Sequence, residues 1–324
     1  NALEDGSLSA FRFDNTREDD AISFDVGVRF DLTTGAIGHR FVVSASSVDL
    51  ESSNAFALSS FFEPFASDLY SPTAVAAPTA NFFTGGDLND PLMTEEVSNQ
   101  SLAIADTLSI FDGRLLATLG VRWQSIKTEA FDFNSGERTS EYDDDKVTPV
   151  VGVVWKFNDS LSLYGNYAES LQPGAIAPSL SGGVPISNAG EVLEPFTGEQ
   201  FELGVKYDGG AVGATVSAFS LNRPNAIVVD NRFTNSGEQQ NQGLELSVFG
   251  EPTAGLRLVG GATYVDAELS RTQDGVNQGN RPIGLAELQA NLNAEWDLPG
   301  FPGLTVDGRI IYTGDQQTNA ANTI

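Results

Sequence analysis

A single histidine and no cysteine limit the chemistry open to this chain. A Ser–His–Asp arrangement needs a histidine held between an acid and a nucleophile. His39 follows Gly38 at a short turn, where a rim or lumen histidine is the plain expectation. The lack of cysteine removes disulfides, thiolate nucleophiles and cysteine metal sites, and fits an oxidising compartment. HExxH, CxxC and P-loop patterns do not occur. Oxygen ligands are more plentiful. "EYDDDK" (141–146) could collect a divalent cation, but it lacks the glycine and ligand rhythm of an EF-hand loop. A solvated acidic loop accounts for it as well, and "DLNDP" (87–91) reads the same way. No catalytic residue, no resident cofactor and no metal site are expected, so the chain does not read as an enzyme.

The charge balance adds a second limit. Lys and Arg number 17 against 44 Asp and Glu, a formal net charge of −27. Nucleic acid is not an expected partner, because affinity for it rests on cations against phosphate. The acid either solubilises a surface or lines loops and a wet lumen. The sequence contains no run of about 18 apolar residues, the length a transmembrane helix needs. That leaves a soluble β-protein or a transmembrane β-barrel, since only helices and closed barrels satisfy their backbone in lipid.

The elements that must position any site are strands. In "ISFDVGVRFD" (22–31), Ile22, Phe24, Val26, Val28 and Phe30 alternate with Ser23, Asp25, Gly27, Arg29 and Asp31. Strict period two gives one apolar and one polar face. The pattern recurs, and strands are predicted over 20–32, 39–51, 97–111, 114–131, 147–157, 160–171, 198–208, 211–222, 239–250, 256–270, 285–297 and 304–315, with a weaker one near 7–14. Asp106 breaks the pattern by sharing parity with Leu102, Ile104, Leu108 and Ile110. Connections alternate in length. "TTGAIG", "DG", "ND", "GG", "EPTAG" and "LPGFPG" are short and carry turn residues. Between them lie longer predicted loops, 52–96, 132–146, 172–197, 223–238 and 271–284. An up-and-down barrel with one trimmed rim and one elaborated rim has this rhythm.

Aromatic residues on the apolar parity mark two levels. Trp123 is ten residues past Gly113, Tyr264 nine past Gly255, Tyr312 nine past Gly303 and Tyr167 eight past Asp159. A strand tilted by about 35–45° climbs about 2.3–2.7 Å per residue, so eight to ten residues climb roughly 18–27 Å. The apolar band of a membrane barrel is about 25 Å tall and is flanked by aromatic girdles. Phe111, Trp155, Phe157, Tyr207 and Trp296 lie near the short turns and form the other level. Aromatics favour strands in general, but their shared height on four strands favours a lipid-facing apolar side, with Asp25, Arg29 and Asp31 turned to a wet lumen.

The ordered segments "LAIADTLSIFDGRLLATLGVRW" (102–123), "VTPVVGVVWKFNDSLSLYGNY" (147–167), "SLYGNYAESLQPG" (162–174), "EQFELGVKYD" (199–208), "NQGLELSVFGEPTAGLRLVGGATYVDAEL" (241–269) and "LNAEWDLPGFPGLTVDGRIIYTG" (292–314) resemble the barrel of TonB-dependent ferric-siderophore receptors. The resemblance covers most of 95–316. It implies an all-β, antiparallel up-and-down transmembrane barrel, of which 1–324 would supply about 12–13 of 22 strands. The plug and terminal strands are expected elsewhere in a longer protein. The implied setting is the Gram-negative outer membrane, with lipid and lipopolysaccharide around the barrel. The implied activity is uptake of a ferric siderophore as transported ligand, driven by the TonB–ExbB–ExbD complex acting on the plug.

Such a ligand is large and partly apolar, and aromatic walls suit it. The predicted 52–96 loop carries Phe56, Phe61, Phe62, Phe65, Tyr70, Phe82 and Phe83. Phe61, Phe62, Tyr70, Phe82 and Phe83 are candidate ligand contacts, and a loop closing over its own apolar cluster is the alternative. Phe196, Arg223 and Arg232 are further candidates from other long loops. Rival functions are a passive porin, an outer-membrane lipase or protease disfavoured by the single histidine, and a structural or surface-displayed β-protein.

Overall fold

The computed structural model describes residues 5–323. In chain order, β1 is Ser7–Ala10, β2 Phe13–Thr34, β3 Ile37–Leu58, β4 Phe65–Asp68, β5 Phe83–Gly85, β6 Met93–Ile110, β7 Leu115–Phe131, β8 Arg138–Lys156 and β9 Leu161–Gln172. Then come β10 Leu180–Ser181, β11 Val184–Pro185, β12 Phe196–Asp208, β13 Val212–Val229, β14 Arg232–Thr253, β15 Leu256–Arg271, β16 Leu288–Asp297 and β17 Thr305–Thr313. No helix among the described residues is long and apolar enough to cross a membrane.

One antiparallel sheet of 13 strands dominates, in the order β17-β16-β15-β14-β13-β12-β9-β8-β7-β6-β3-β2, with β5 added to β3. Each long strand pairs with the next long strand, which is the up-and-down order expected from the alternating connections. Two small ladders, β1 with β4 and β10 with β11, stand apart from this path. The sheet is all antiparallel and forms part of an up-and-down barrel wall.

The burial pattern is inverted relative to a globular protein. Phe201 and Leu203 on β12 are 57% and 59% exposed, whereas Ser217 on the neighbouring strand is 4% exposed. Buried residues among those described include Ser52, Ser59, Thr94, Thr148 and Asn188 beside alanines, isoleucines and two tyrosines, Tyr142 and Tyr164, and no Leu, Phe or Trp. The apolar parity therefore presents itself outward, and the polar parity carries the side-chain networks. A water-facing sheet would do the reverse.

The chain packs as two compact units. Among the described residues the first holds 5–25, 46–100 and 125–143, and the second 26–45, 101–124 and 144–323. In the first, polar side chains on the strand ends form ion pairs and hydrogen bonds. Arg17 pairs with Asp19 at 2.8 Å, and the Ser52 hydroxyl donates to Asp19 at 2.6 Å. Lys127 and Arg138 hold Glu129 at 2.7 and 2.5 Å. The second contains the regular meander from β12 to β17, with unbroken registers such as Glu199↔Asn222 through Asp208↔Gly213.

Two predicted loops are mostly strand. The 223–238 stretch is a hairpin in which β13 runs to Val229 and β14 begins at Arg232. Asp230 and Asn231 make the turn at φ 49° and 60°, the left-handed region that these two residue types tolerate. The 132–146 stretch shrinks to 132–137, because β8 starts at Arg138. Both escaped prediction for one reason. In both stretches the few apolar residues fall on no single parity, so period-two hydropathy disappears while the backbone ladder continues. At 22 residues, β2, β3 and β14 span about 50–60 Å along a tilted axis, roughly twice the band height.

Candidate functional site

The first unit gathers the aromatics of the 52–96 segment. Phe61 meets Phe11 edge-on at 5.0 Å between ring centroids and Phe82 at 6.1 Å. Phe82 also meets Phe62 at 5.7 Å. The backbone sets this up, since Ser59 N–H donates to Arg12 C=O and Phe82 N–H to Leu58 C=O, both at 2.9 Å. Burial of the cluster is incomplete, with Phe62 84% exposed and Phe82 50%. Arg12 lies beside it and donates to Pro78 C=O at 3.2 Å. Its own partner, Asp14 at 2.7 Å, raises the guanidinium pKa further above its ordinary range.

Phe83 belongs to a separate group. It sits 5.4 Å from Phe56, which meets Phe133 edge-on at 5.2 Å. Tyr70 lies over Gly6, close enough that a side chain at Gly6 would have to displace the ring. The five sequence candidates thus divide into a trio, Phe61, Phe62 and Phe82, and two residues packed elsewhere. Phe11 and Phe133 are members that sequence reading missed. They lie far along the chain, and no local pattern marks them.

The remaining candidates lie in the second unit. Phe196 opens β12 opposite Gln172. Arg223 makes one long contact, Nε to Gln172 Oε1 at 3.3 Å. Arg232 is engaged by Glu191, donating to both carboxylate oxygens at 2.7 Å.

The aromatic levels also have a common chemistry. Trp123 Nε1 donates to Asp145 at 2.8 Å, and the Tyr167 hydroxyl to Glu169 at 2.6 Å. Tyr264 hydrogen-bonds Glu287. Each amphipathic ring keeps its body on the apolar face and gives its polar atom to a carboxylate, as rings at an apolar–polar boundary do. Near the short turns, Trp155 packs edge-on against Phe111 at 6.2 Å, and Phe157, Tyr207 and Trp296 are exposed, as is Tyr312 at the other level.

Asp106, unexplained by sequence, has its answer here. Its Oδ2 lies 2.8 Å from His39 Nδ1. His39 stacks on Phe41, and Phe41 on Phe30, which belongs to the apolar parity of β2. His39 is therefore on the apolar parity, close to the short turn between β2 and β3, rather than on the lumen side. The contact satisfies His39 Nδ1 and Asp106 Oδ2, while Asp106 Oδ1 is buried without a hydrogen-bond partner. Among the described residues no group of three His, Cys, Asp or Glu side chains could hold a metal ion.

With this geometry in view, comparison with known proteins is informative. Residues 2–324 match the family described as "TonB dependent receptor-like, beta-barrel". The ferrichrome receptor FcuA of Yersinia enterocolitica is 35% identical over 300 residues, covering 92% of this chain and 39% of that protein. The ferrioxamine receptor of the same organism is 26% identical, over 99% of this chain and 42% of that protein. The crystal structure of BauA, the ferric preacinetobactin receptor of Acinetobacter baumannii, superposes with a TM-score of 0.84 at 32% identity, covering 99% of this chain and 47% of that one. The chain spans less than half the length of these relatives. The family and these relatives are receptors, not enzymes. The chain belongs to the TonB-dependent receptor family, as part of its β-barrel.

Proposed function

We propose that this chain is the barrel portion of an outer-membrane receptor that takes up a ferric siderophore. The carrying observation is the 35% identity to a ferrichrome receptor across nearly the whole chain. Uptake is energised by the TonB–ExbB–ExbD complex through a plug contributed by the rest of the protein. The barrel spans the Gram-negative outer membrane, its apolar parity against lipid and lipopolysaccharide and its aromatic levels at the two interfaces.

In this reading Phe61, Phe62 and Phe82 form an exposed aromatic wall that a chelate of mixed polarity can lie against. Tyr70 and Phe83 act as outlying contacts. Phe196, Arg223 and Arg232 are proposed independently as contacts for the same ligand class. Arg223 is the less committed cation, because Arg232 must release Glu191 before it can bind an anion.

The test uses the full-length receptor in a host without its own siderophore receptors, offered radio-iron ferrichrome, ferrioxamine B and preacinetobactin. Saturable uptake of one of them, abolished by an uncoupler and weakened in binding by Phe61→Ala with Phe82→Ala, is the expected result. Uptake that neither saturates nor responds to the uncoupler would establish a passive pore instead.

A further inference from the structure

Between β9 and β12 the chain folds into a small body of its own. Ala177 N–H donates to Glu191 C=O and Gly190 N–H to Ala177 C=O, both at 2.8 Å, and Leu193 N–H donates to Ala175 C=O at 3.0 Å. Its two ends meet at Gly174, where a Cβ would lie 2.1 Å from the Leu193 carbonyl oxygen, so the neck admits only glycine. Compact loops whose ends meet in this way are frequently functional. The body is seated on the tip of the β13–β14 hairpin by two kinds of contact. One copies a strand edge. The buried Asn188 side chain accepts from Phe233 N–H at 2.8 Å and donates to Phe233 C=O at 2.9 Å, and Ser187 N–H and Oγ both donate to Asn231 C=O at 2.9 Å. The other is ionic and open to solvent. Arg232 Nη2 donates to both Glu191 oxygens at 2.7 Å, with the two side chains 54% and 42% exposed. An exposed pair of this kind is worth little against water, so a second anion can take the guanidinium at low cost. The Asn188 contact offers no such exchange, because the backbone already answers both of its groups. With 17 basic against 44 acidic residues, a reachable cation at the tip of a hairpin is scarce in this chain.

We propose that the Glu191 carboxylate stands in for an anionic group of the ligand at Arg232, and so sets the ligand class that this tip accepts. A chelate with a free carboxylate, or another exposed anionic group, displaces Glu191 and gains Arg232 in its place. A neutral chelate has nothing to exchange and meets a closed ion pair. Selectivity then comes from a competitor built into the site rather than from an added contact. By reciprocity, an anion that takes Arg232 weakens the seat of the 175–193 body on the hairpin, leaving the Asn188 and Ser187 bonds to hold it. The inference rests on the siderophore-receptor reading of this chain.

The experiment titrates the full-length receptor in detergent with ferric citrate, which is anionic, ferrichrome, which is neutral, and ferrioxamine B, whose ferric complex is cationic. Glu191→Gln should tighten ferric citrate about three- to fivefold, the scale of an exposed ion pair, and leave the other two unchanged. Arg232→Gln should weaken ferric citrate, and adding Glu191→Gln to it should restore nothing, because the competitor acts only through that guanidinium. Glu194→Gln removes the same charge three positions away and should change none of the three. Asn188→Ala should quicken amide exchange at Phe233 without altering the charge preference, which separates a loosened seat from a released competitor. A Glu191→Gln protein that gains for all three chelates or for none, an equal gain from Glu194→Gln, a gain that persists without Arg232, or a receptor that takes up another chelate while leaving ferric citrate unbound would each overturn the inference. Binding of none of the three, with no saturable uptake of preacinetobactin, defeats the siderophore reading itself.

Discussion

The meander from β12 to β17 and the segment from 59 to 92 are built on opposite rules. In the meander, backbone ladders run unbroken for many residues, and side chains alternate between an exposed apolar face and a polar face with ion pairs such as Arg257 with Glu295 and Asp297 at 2.5 and 3.0 Å. In 59–92, two short strands, β4 and β5, are the only ladders, and ring contacts around Phe82 and Phe56 join stretches distant in sequence. The first region is specified by backbone pairing and a two-residue period. The second is specified by a few side chains that find each other. A wall needs the former, and a surface that adapts to a ligand suits the latter.

The largest expected effect tests the two faces of the meander. Leu292 and Asn291 are neighbours on β16 with opposite parity. Leu292→Arg should cost about 2–4 kcal/mol of folding stability in a bilayer, whereas Asn291→Arg should cost close to nothing. Urea titration of the refolded full-length barrel, read by its heat-modifiable gel mobility, measures both, and equal costs would erase the distinction between faces.

Next comes the tolerance of the ladder itself. A side chain at Gly243 would collide with the Tyr264 carbonyl and the Phe219 ring. Gly243→Val should destabilise by about 1–3 kcal/mol through overpacking, seen as a lower urea midpoint in the same titration. An unchanged midpoint would mean that the meander is looser than its register implies.

The aromatic segment should respond locally. Phe82→Ala removes two ring contacts, each worth about 0.5–1.5 kcal/mol. Amide exchange should quicken across 59–83 and stay unchanged across 241–269. Faster exchange in both would show that the two regions are not independently specified.

The smallest effect concerns one turn. Asp132 Oδ1 accepts from the backbone amides of Asn134 and Ser135, each at 2.9 Å, and these bonds lower its pKa below the ordinary 3.8. Because the folded-state value is depressed, the stabilisation is present above about pH 4 and fades as pH falls through the folded value. Protection of the Asn134 and Ser135 amides should therefore weaken between pH 5 and pH 2, and equal protection at both would remove the carboxylate from the turn.

The same contrast explains what could be read from sequence. The strands around 199–208 and 304–313 were legible because lipid-type burial imposes alternation on adjacent residues. The extensions 223–229 and 232–238 were not, since their apolar residues do not alternate and Asp230–Asn231 is a less familiar turn pair. His39 with Asp106 was invisible as a pair because the partners lie 67 positions apart and meet only across strands. The aromatic density of 52–96 was visible as composition. Its division into a Phe61–Phe62–Phe82 trio and a Phe56–Phe83–Phe133 group was not, because Phe11 and Phe133 enter from other parts of the chain.

The most direct measurement exploits the absence of native cysteine. Single cysteines at Ala290, Asn291, Leu292 and Asn293 of the full-length receptor, spin-labelled in liposomes, report whether dissolved oxygen or a water-soluble nickel chelate relaxes each label. Oxygen should dominate at 290 and 292 and the nickel chelate at 291 and 293, which is the signature of an apolar face against lipid. Equal relaxation at all four positions, or the opposite alternation, would contradict the membrane barrel.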